Sequence, residues 1–393
     1  MKKTIRDLKG LKGKKVLLRC DFNVPLDKYG DILDDTRIYA ALPTIEYLVE
    51  HEAKVIIVSH LGRPKGYDKY LSLFPVAVYL MKWFPNKVKF ASEPIGKEVD
   101  REVANLKNGE ILLLENIRFV QGEEENSPKL VEELAKLGDI YVNDAFGVCH
   151  RKHASTYGVA IKLPNAIGFL VEKELKVFEE AFKTPKRPFV AIFGGAKIDD
   201  KINLIRNIMD NVMQQGDSIL IGGGMAYTFL QAQGIQIGKS IVSLDKVDEA
   251  KRVLAEAEKK GIKVLLPVDH VALLKEKDKV LRTKKLSGDM IGLDIGNLTI
   301  KMFVKEIMEA NQILWNGPVG KYEDPRFKKG TMKIAKAVGK SVAYSIVGGG
   351  DSISAINASG VADSINHLST GGGASLKLME GKPLPAIEVI DEV

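Results

Sequence analysis

FVAIFGGAKIDDKINLIRNIM, residues 189–209, decides the fold. Its first five residues are apolar without alternation, as in a strand buried on both faces. Gly194-Gly195 ends the run, and Ile198, Ile202, Ile205 and Met209 follow at helical spacing. A strand that passes through glycine into an amphipathic helix is one βα unit of a parallel sheet. The same grammar precedes it in KVLLR (15–19), KVIIVSH (54–60), EILLLEN (110–116) and DIYVNDAF (139–146). It follows in SILIGG (218–223), KVLLPVD (263–269), QILWNGP (312–318) and SVAYSIVGGG (341–350). Ile38, Leu42, Ile45 and Val49 mark a further helical stripe. The expected fold class is therefore α/β, with doubly wound, Rossmann-like parallel sheets.

Between the two groups of strands lies VEKELKVFEEAFKTPKRP (171–188), a charged helical stretch closed by prolines. It reads as a hinge helix joining two domains, 1–170 and 171–375, with the hinge near 165–190. One continuous sheet of many strands is the alternative. The 393 residues suit two to three domains. A composition 45% hydrophobic and 28% charged excludes disordered, collagenous and disulfide-scaffold classes. Lys and Arg number 58 against 51 Asp and Glu, and the excess of +7 is dispersed among acidic residues. That pattern favours a small anionic partner over nucleic acid. Cys20 and Cys149 form no C-x-x-C pair, as in a reduced compartment such as the cytoplasm. No apolar run approaches 18 residues and no signal peptide opens the chain, so no membrane role is expected.

In open α/β sheets ligands bind beyond the carboxyl ends of the strands. In the first half those ends carry Arg19, Asp21, Asn23, His60, Arg63, Glu115, Arg118, Asn143 and Asp144. Arg151 follows a few residues later, and Arg37 stands where a helical pattern begins. A guanidinium binds carboxylate and phosphate with two parallel hydrogen bonds, so repetition at successive strand ends predicts a multiply anionic substrate. The second half offers glycine instead: Gly194-Gly195, Gly222-Gly223-Gly224, Gly348-Gly349-Gly350 and Gly371-Gly372-Gly373. Glycine lets a backbone approach phosphate, and a helix N-terminus presents free N–H groups to it. Lys197 and Lys201, four apart, are expected on one helix face. Asp351 is a candidate carboxylate for Mg²⁺ carried on nucleotide phosphates.

Other motifs carry less. GIQIGKS (234–240) is one residue short of a phosphate-binding P-loop. No G-x-G-x-x-G is present, which argues against a nicotinamide dehydrogenase. Cys149, His150 and His153 crowd one short loop and lack a fourth ligand for zinc. A non-enzymatic module closing on an anion would account for the arginines but not for the glycine runs, the lysines and Asp351.

Taken together, the strand-end motifs resemble phosphoglycerate kinases from one end of the chain to the other. The pattern R-x-D-x-N-x-P appears as Arg19-Cys20-Asp21-Phe22-Asn23-Val24-Pro25. With it come SHLGRP (59–64), LLENIRF (113–119), YVNDAFGVCHRKHAS (141–155) and GGAKIDDKI (194–202). GGGMAYTFL (222–230), WNGPVGKYE (315–323), GGGDS (348–352) and STGGGASL (369–376) complete the series.

The resemblance implies reversible phosphoryl transfer between 1,3-bisphosphoglycerate and ADP by a cytoplasmic monomer. It implies that Asp21, Asn23, Arg37, His60, Arg63, Arg118 and Arg151 hold 3-phosphoglycerate. It further implies that Gly195, Lys201, Gly223, Gly224, Gly292 and Asn316 hold ATP or ADP with Mg²⁺. Glu323 (on the ribose), Gly349, Gly350, Asp351 (on the metal) and Ser352 belong to the same set. Arg37, Lys197, Gly372 and Gly373 would contact the phosphoryl group in transfer. The tail 376–393 would fold back onto the first domain. The chain departs from the family at Asn297, where proline is usual, and at Lys377, where an acidic residue is usual.

Overall fold

The computed structural model describes every residue except Asp200. The chain forms two units, Met1–Lys176 with Pro383–Val393, and Val177–Lys382.

The first unit is built on β1 (Lys15–Cys20), β2 (Lys54–Val58), β3 (Val88–Phe90), β4 (Ile111–Leu113), β5 (Ile140–Asp144) and β6 (Asn165–Ile167). Their order is β3-β4-β2-β1-β5-β6, and every pairing is parallel. The apolar runs form strands because both faces are covered: Val16, Leu18, Val55, Ile57, Ile111 and Leu113 are fully buried. The helix Thr36–Glu50 places Ile38, Leu42, Ile45 and Leu48 in the same core. Each such side chain contributes about 1.5–3 kcal/mol by leaving water. The C-terminal segment belongs here: Lys3 N–H donates to the Asp391 carbonyl (2.8 Å) and Asn143 Nδ2 to that of Ala386 (3.3 Å).

The second unit holds β7 (Phe189–Phe193), β8 (Ser218–Ile221) and β9 (Lys263–Leu265). A three-stranded antiparallel sheet follows, β10 (His270–Leu274), β11 (Lys279–Thr283) and β12 (Met290–Ile295), with β10 in the middle. Then come β13 (Gln312–Asn316), β14 (Tyr344–Gly348) and β15 (His367–Ser369). The six parallel strands run β15-β14-β13-β7-β8-β9, the Rossmann order read from the far edge. The helix Gly373–Met379 lies in this unit, where Asn207 Nδ2 donates to the Met379 carbonyl (2.6 Å). The antiparallel sheet is an addition to the doubly wound pattern expected from the sequence.

Strand order fixes where ligands fit. The first sheet turns back between β1 and β5, the second between β7 and β13. The carboxyl ends flanking those reversals leave a crevice between diverging connections.

Candidate functional site

At the first crevice, β1 runs directly into Asp21, which is buried. Arg37 is the second residue of the helix Thr36–Glu50, and its Nη1 donates to Asp21 Oδ2. Burial opposes ionisation of Asp21, but Arg37 foremost, with Arg19 and the Asn23 N–H, outweighs it and holds the carboxyl below its ordinary range. Asn23 Oδ1 accepts from Gly62 N–H (2.8 Å), which ties the β1 loop to the loop carrying Arg63. His60, just past β2, is 3% exposed. Burial, opposed by Asp21 and reinforced by Arg19, Arg118 and Arg37, pushes its pKa well down, so the ring is neutral at pH 7.

Arg118 lies in a 3₁₀ turn after β4, its Nη1 donating to the Gly62 carbonyl (2.6 Å) and Nη2 pairing with Glu124 (3.2 Å). Its Nε is buried without a hydrogen-bond partner among the described residues. A buried cationic donor left unmatched is costly in a finished structure and suits an anion acceptor. Arg63 is exposed, and with Arg118 it lines an open cleft of about 590 Å³. Arg151 donates through Nε to His150 Nε2 (3.1 Å), and its charge is close enough to depress the pKa of Arg118. Of the seven side chains expected to hold an anion, six lie on the connections beyond these strands and Arg37 lies in the first turn of the helix Thr36–Glu50.

Three residues from the same neighbourhood take other parts. Arg19 is 1% exposed and points inward: its Nε donates to Ser155 Oγ (2.8 Å), its Nη1 to the Cys20 carbonyl, and its Nη2 lies 3.3 Å from His60 Nδ1. Glu115 accepts from the Leu73 and Asn116 N–H groups (2.8 and 2.7 Å) and from Ser72 Oγ (2.6 Å). Asp144 Oδ1 accepts from Leu170 and Val171 N–H (2.9 and 3.2 Å), satisfying the start of the helix Phe169–Lys183. Burial, only partly offset by Thr44 and those N–H donors, raises its pKa to about 7.

At the second crevice the chemistry changes. Gly194 N–H donates to the Asn316 carbonyl (3.1 Å) and Gly195 N–H to that of Pro318 (2.8 Å). Lys201 Nζ bonds the Asn316 carbonyl (2.9 Å) and Oδ1 (2.5 Å). Asn316 Nδ2 donates in turn to the Gly348 carbonyl (3.0 Å), and Ser352 Oγ accepts from Gly317 N–H (2.7 Å). These bonds stitch together the ends of β7, β13 and β14. Gly223 sits at φ +66°, and a Cβ there would lie 2.6 Å from the Gly195 carbonyl oxygen. Only glycine satisfies both demands.

Gly349 precedes the helix Gly350–Ser359, which carries Asp351 exposed in its first turn and Ser352 buried behind it. Gly224 follows Gly223 at the end of β8, and Gly372 and Gly373 open the helix Gly373–Met379. Glu323 is exposed beyond β13. Gly292 is apart from the parallel strand ends, within β12, where a Cβ would fall 2.0 Å from Tyr227 Oη.

One expectation fails: Lys197 and Lys201 do not share a helix face. The helix begins at Ile202, so Lys197 is exposed in the preceding loop and Lys201 is the N-cap residue with a buried side chain. Ile198 lies in a turn before the helix, its carbonyl accepting from Lys201 and Ile202 N–H (2.8 and 2.9 Å). Its buried side chain continues the apolar stripe without helical backbone, which is what made the spacing misleading. GIQIGKS also differs from a P-loop, since no helix opens at Ser240, whose Oγ accepts from Gly292 N–H (2.9 Å). Asn297 starts the helix Asn297–Glu309, with Lys329 Nζ on its Oδ1 (3.3 Å), and Lys377 pairs with Glu380 (3.1 Å).

Sequence reasoning passed over Glu123, Ser155 and the inward role of Arg19. Ser155 Oγ donates to the buried Glu123 (2.6 Å) while accepting from Arg19. Glu123 and Ser155 sit in polar stretches (121–127 and 150–156) that read as surface loops, so no signal in the sequence marked the network.

Among the described residues no three His, Cys, Asp or Glu gather into a metal site. Asp351 stands exposed in the first turn of its helix, and an ion carried on nucleotide phosphates needs only one or two protein carboxylates.

Arginines around one strand reversal and a glycine-framed lysine at another are the equipment of a two-unit α/β phosphotransferase. The family model described as phosphoglycerate kinase matches residues 5–382. The chain is 51% identical to the phosphoglycerate kinase of Dictyoglomus turgidum over 398 aligned positions, covering 100% of this chain and 99% of that one. It is 50% identical, with the same coverage, to that of Finegoldia magna. Among solved structures, the phosphoglycerate kinase of Coxiella burnetii superposes with a TM-score of 0.86 at 39% identity, covering 99% of this chain and 98% of the other. That of Pyrococcus horikoshii gives 0.84 at 32%, covering 98% of each. The chain belongs to the phosphoglycerate kinase family.

Proposed function

We propose that the chain transfers a phosphoryl group reversibly between 1,3-bisphosphoglycerate and ADP, with 3-phosphoglycerate held by the first unit and nucleotide by the second. The observation that carries this reading is the contrast between the two strand reversals. One gathers Arg37, His60, Arg118 and Arg151; the other presents glycine backbone and Lys201 bound to Asn316. Family membership supports it.

In the ATP-consuming direction the nucleophile is the substrate carboxylate. With a pKa near 4 it is already ionised at neutral pH, so no general base is required. The strongly lowered pKa of His60 makes its ring a weak base and agrees with a role as a neutral N–H donor. The obstacle is the mutual repulsion of two anions, and catalysis then consists of positioning and charge neutralisation. Arg37 and Lys197 meet the transferring group, together with the backbone at Gly372 and Gly373. Asp351 would hold Mg²⁺, which would supply charge neutralisation on the phosphates.

The first unit as substrate domain and the second as nucleotide domain require closure about a hinge within 165–190. The boundary between units at Lys176 and Val177 falls inside the helix Phe169–Lys183, which supports this. Closure would also exclude water from the transfer. Small-angle scattering with both ligands should show compaction; an unchanged radius of gyration contradicts it. The reading takes the enzyme as a cytoplasmic monomer, in keeping with two buried, unbridged cysteines. No helix among the described residues is long and apolar enough to cross a membrane.

A coupled assay with ATP, Mg²⁺ and 3-phosphoglycerate tests the function directly. Turnover should require all three; turnover without phosphoglycerate, or none at all, overturns it.

A further inference from the structure

The geometry points to Arg19 as a positioning residue that locks His60 in the neutral tautomer with its proton on Nε2, so that His60 offers a single N–H donor to the anionic substrate. The inference rests on the reading that His60 faces phosphoglycerate. Its core is the donor inventory: a guanidinium carries only donors, whereas each imidazole nitrogen is donor or acceptor according to its proton. Arg19 Nη2 lies 3.3 Å from His60 Nδ1. That contact is a hydrogen bond only if Nδ1 is unprotonated, and with Nδ1 accepting, the proton of a neutral ring sits on Nε2.

The competing arrangement puts the proton on Nδ1 and aims it at Asp21. Asp21 Oδ1 is 3.9 Å from Nδ1, outside hydrogen-bond range, and Asp21 Oδ2 is engaged by Arg37. The other charges acting on the ring are Arg37 and Arg118, both cationic, and neither favours an imidazolium.

Arg19 is itself held from behind. Its Nε donates to Ser155 Oγ (2.8 Å) and its Nη1 to the Cys20 carbonyl. Ser155 in turn gives Glu123 its hydroxyl proton (2.6 Å) and its backbone N–H (3.0 Å), and Glu123 is 1% exposed. Arg19 Nε and Nη1 and both Ser155 donors have buried acceptors, so the guanidinium cannot rotate away from Nδ1 without breaking buried bonds, each costly in a low-dielectric interior. The sequence Glu123–Ser155–Arg19–His60 therefore transmits orientation from the core to a group at the substrate site. None of its first three members needs to touch the substrate.

Nitrogen-15 NMR of histidine-labelled wild-type protein without ligand tests this, with the His60 signals assigned by their loss in His60→Gln. The expected result is an unprotonated Nδ1 and a protonated Nε2 throughout pH 6–8. A protonated Nδ1, or an imidazolium at pH 7, overturns the proposal. Arg19→Met supplies the second readout. In the folded variant His60 should populate the other tautomer, and KM for 3-phosphoglycerate should rise by about tenfold, in proportion to the competent fraction lost. kcat should change by less than about threefold. A folded Arg19→Met with the wild-type tautomer contradicts the positioning role, and if the variant does not fold the wild-type spectrum still decides. Because the tautomer is read without turnover, an inactive protein with the expected spectrum would refute the proposed reaction and leave this assignment standing.

Discussion

The two units solve the same problem, holding an anion at a strand reversal, by opposite means. The first uses long side chains: Arg37 braced by Asp21, Arg118 braced by the Gly62 carbonyl and Glu124, and neutral His60. The second uses backbone, with Gly194 and Gly223 packed so tightly against neighbouring backbone that added atoms would collide, and one buried lysine. The difference follows from the ligands proposed for each. A small acid carrying a carboxylate and a phosphate must be gripped from several sides, which guanidinium groups do with defined geometry. A triphosphate chain presents many oxygens along a line, and N–H groups beside glycine can follow it closely.

If side chains do the work in the first unit, removing one should cost rate. Arg37→Ala should lower kcat by at least about 10²-fold, because its charge counts most as phosphoryl charge moves. Steady-state kinetics decide this; an unchanged kcat with raised KM would make Arg37 a binding residue only.

The units are alike in one respect, and pH exposes it. Each buries an aspartate that accepts N–H groups near the start of a helix: Asp144 for Phe169–Lys183, and Asp294, whose Oδ2 takes Gly330 N–H (2.7 Å), for Lys329–Lys340. Burial, only partly offset by the N–H donors, raises both pKa values to about 7. A folded value above the unfolded one means stability that is complete below about pH 4 and lost as pH rises through 7. Relative to wild type, Asp294→Asn should therefore gain on the order of 4 kcal/mol between pH 4 and 8 in urea unfolding. A difference independent of pH would contradict the assignment.

If backbone does the work in the second unit, its glycines should separate into structural and ligand-facing ones. Gly223→Ala meets the Gly195 backbone at 2.6 Å with φ +66°, and should lose about 2 kcal/mol of stability. Gly350→Ala meets nothing within 4 Å and should fold normally while weakening nucleotide binding. Equal unfolding midpoints for the two would erase that distinction. The smallest effect is expected at exposed Arg63: Arg63→Ala should raise KM for phosphoglycerate by about tenfold with kcat little changed.

The legible parts of the fold were those whose physics is repetitive. All nine apolar runs became strands; eight are covered on both faces, where polar alternation is not tolerated, and β9 is a half-exposed edge. β3, β6 and β15, three residues each, carry Lys89, Asn165 and His367 within the strand, so no uniform apolar run marks them. β11 is largely exposed (KVLRT), and the antiparallel sheet containing it lacks the uniform apolarity that marked the others. At the site, the residues just past strands were visible because strand ends were visible. The inward turn of Arg19 was not, since its partners Ser155 and His60 are distant in sequence. Lys201 misled for a related reason: Ile198 is buried by a turn, and a stripe of isoleucines does not reveal where helical backbone begins.

The division of labour itself is tested most directly by calorimetric titration of Arg63→Ala and Lys201→Met with each ligand separately. Arg63→Ala should lose affinity for 3-phosphoglycerate and keep that for Mg-ATP; Lys201→Met should do the reverse. If either variant loses both ligands while remaining folded, or if the pattern is exchanged, the assignment of one anion to each unit is wrong.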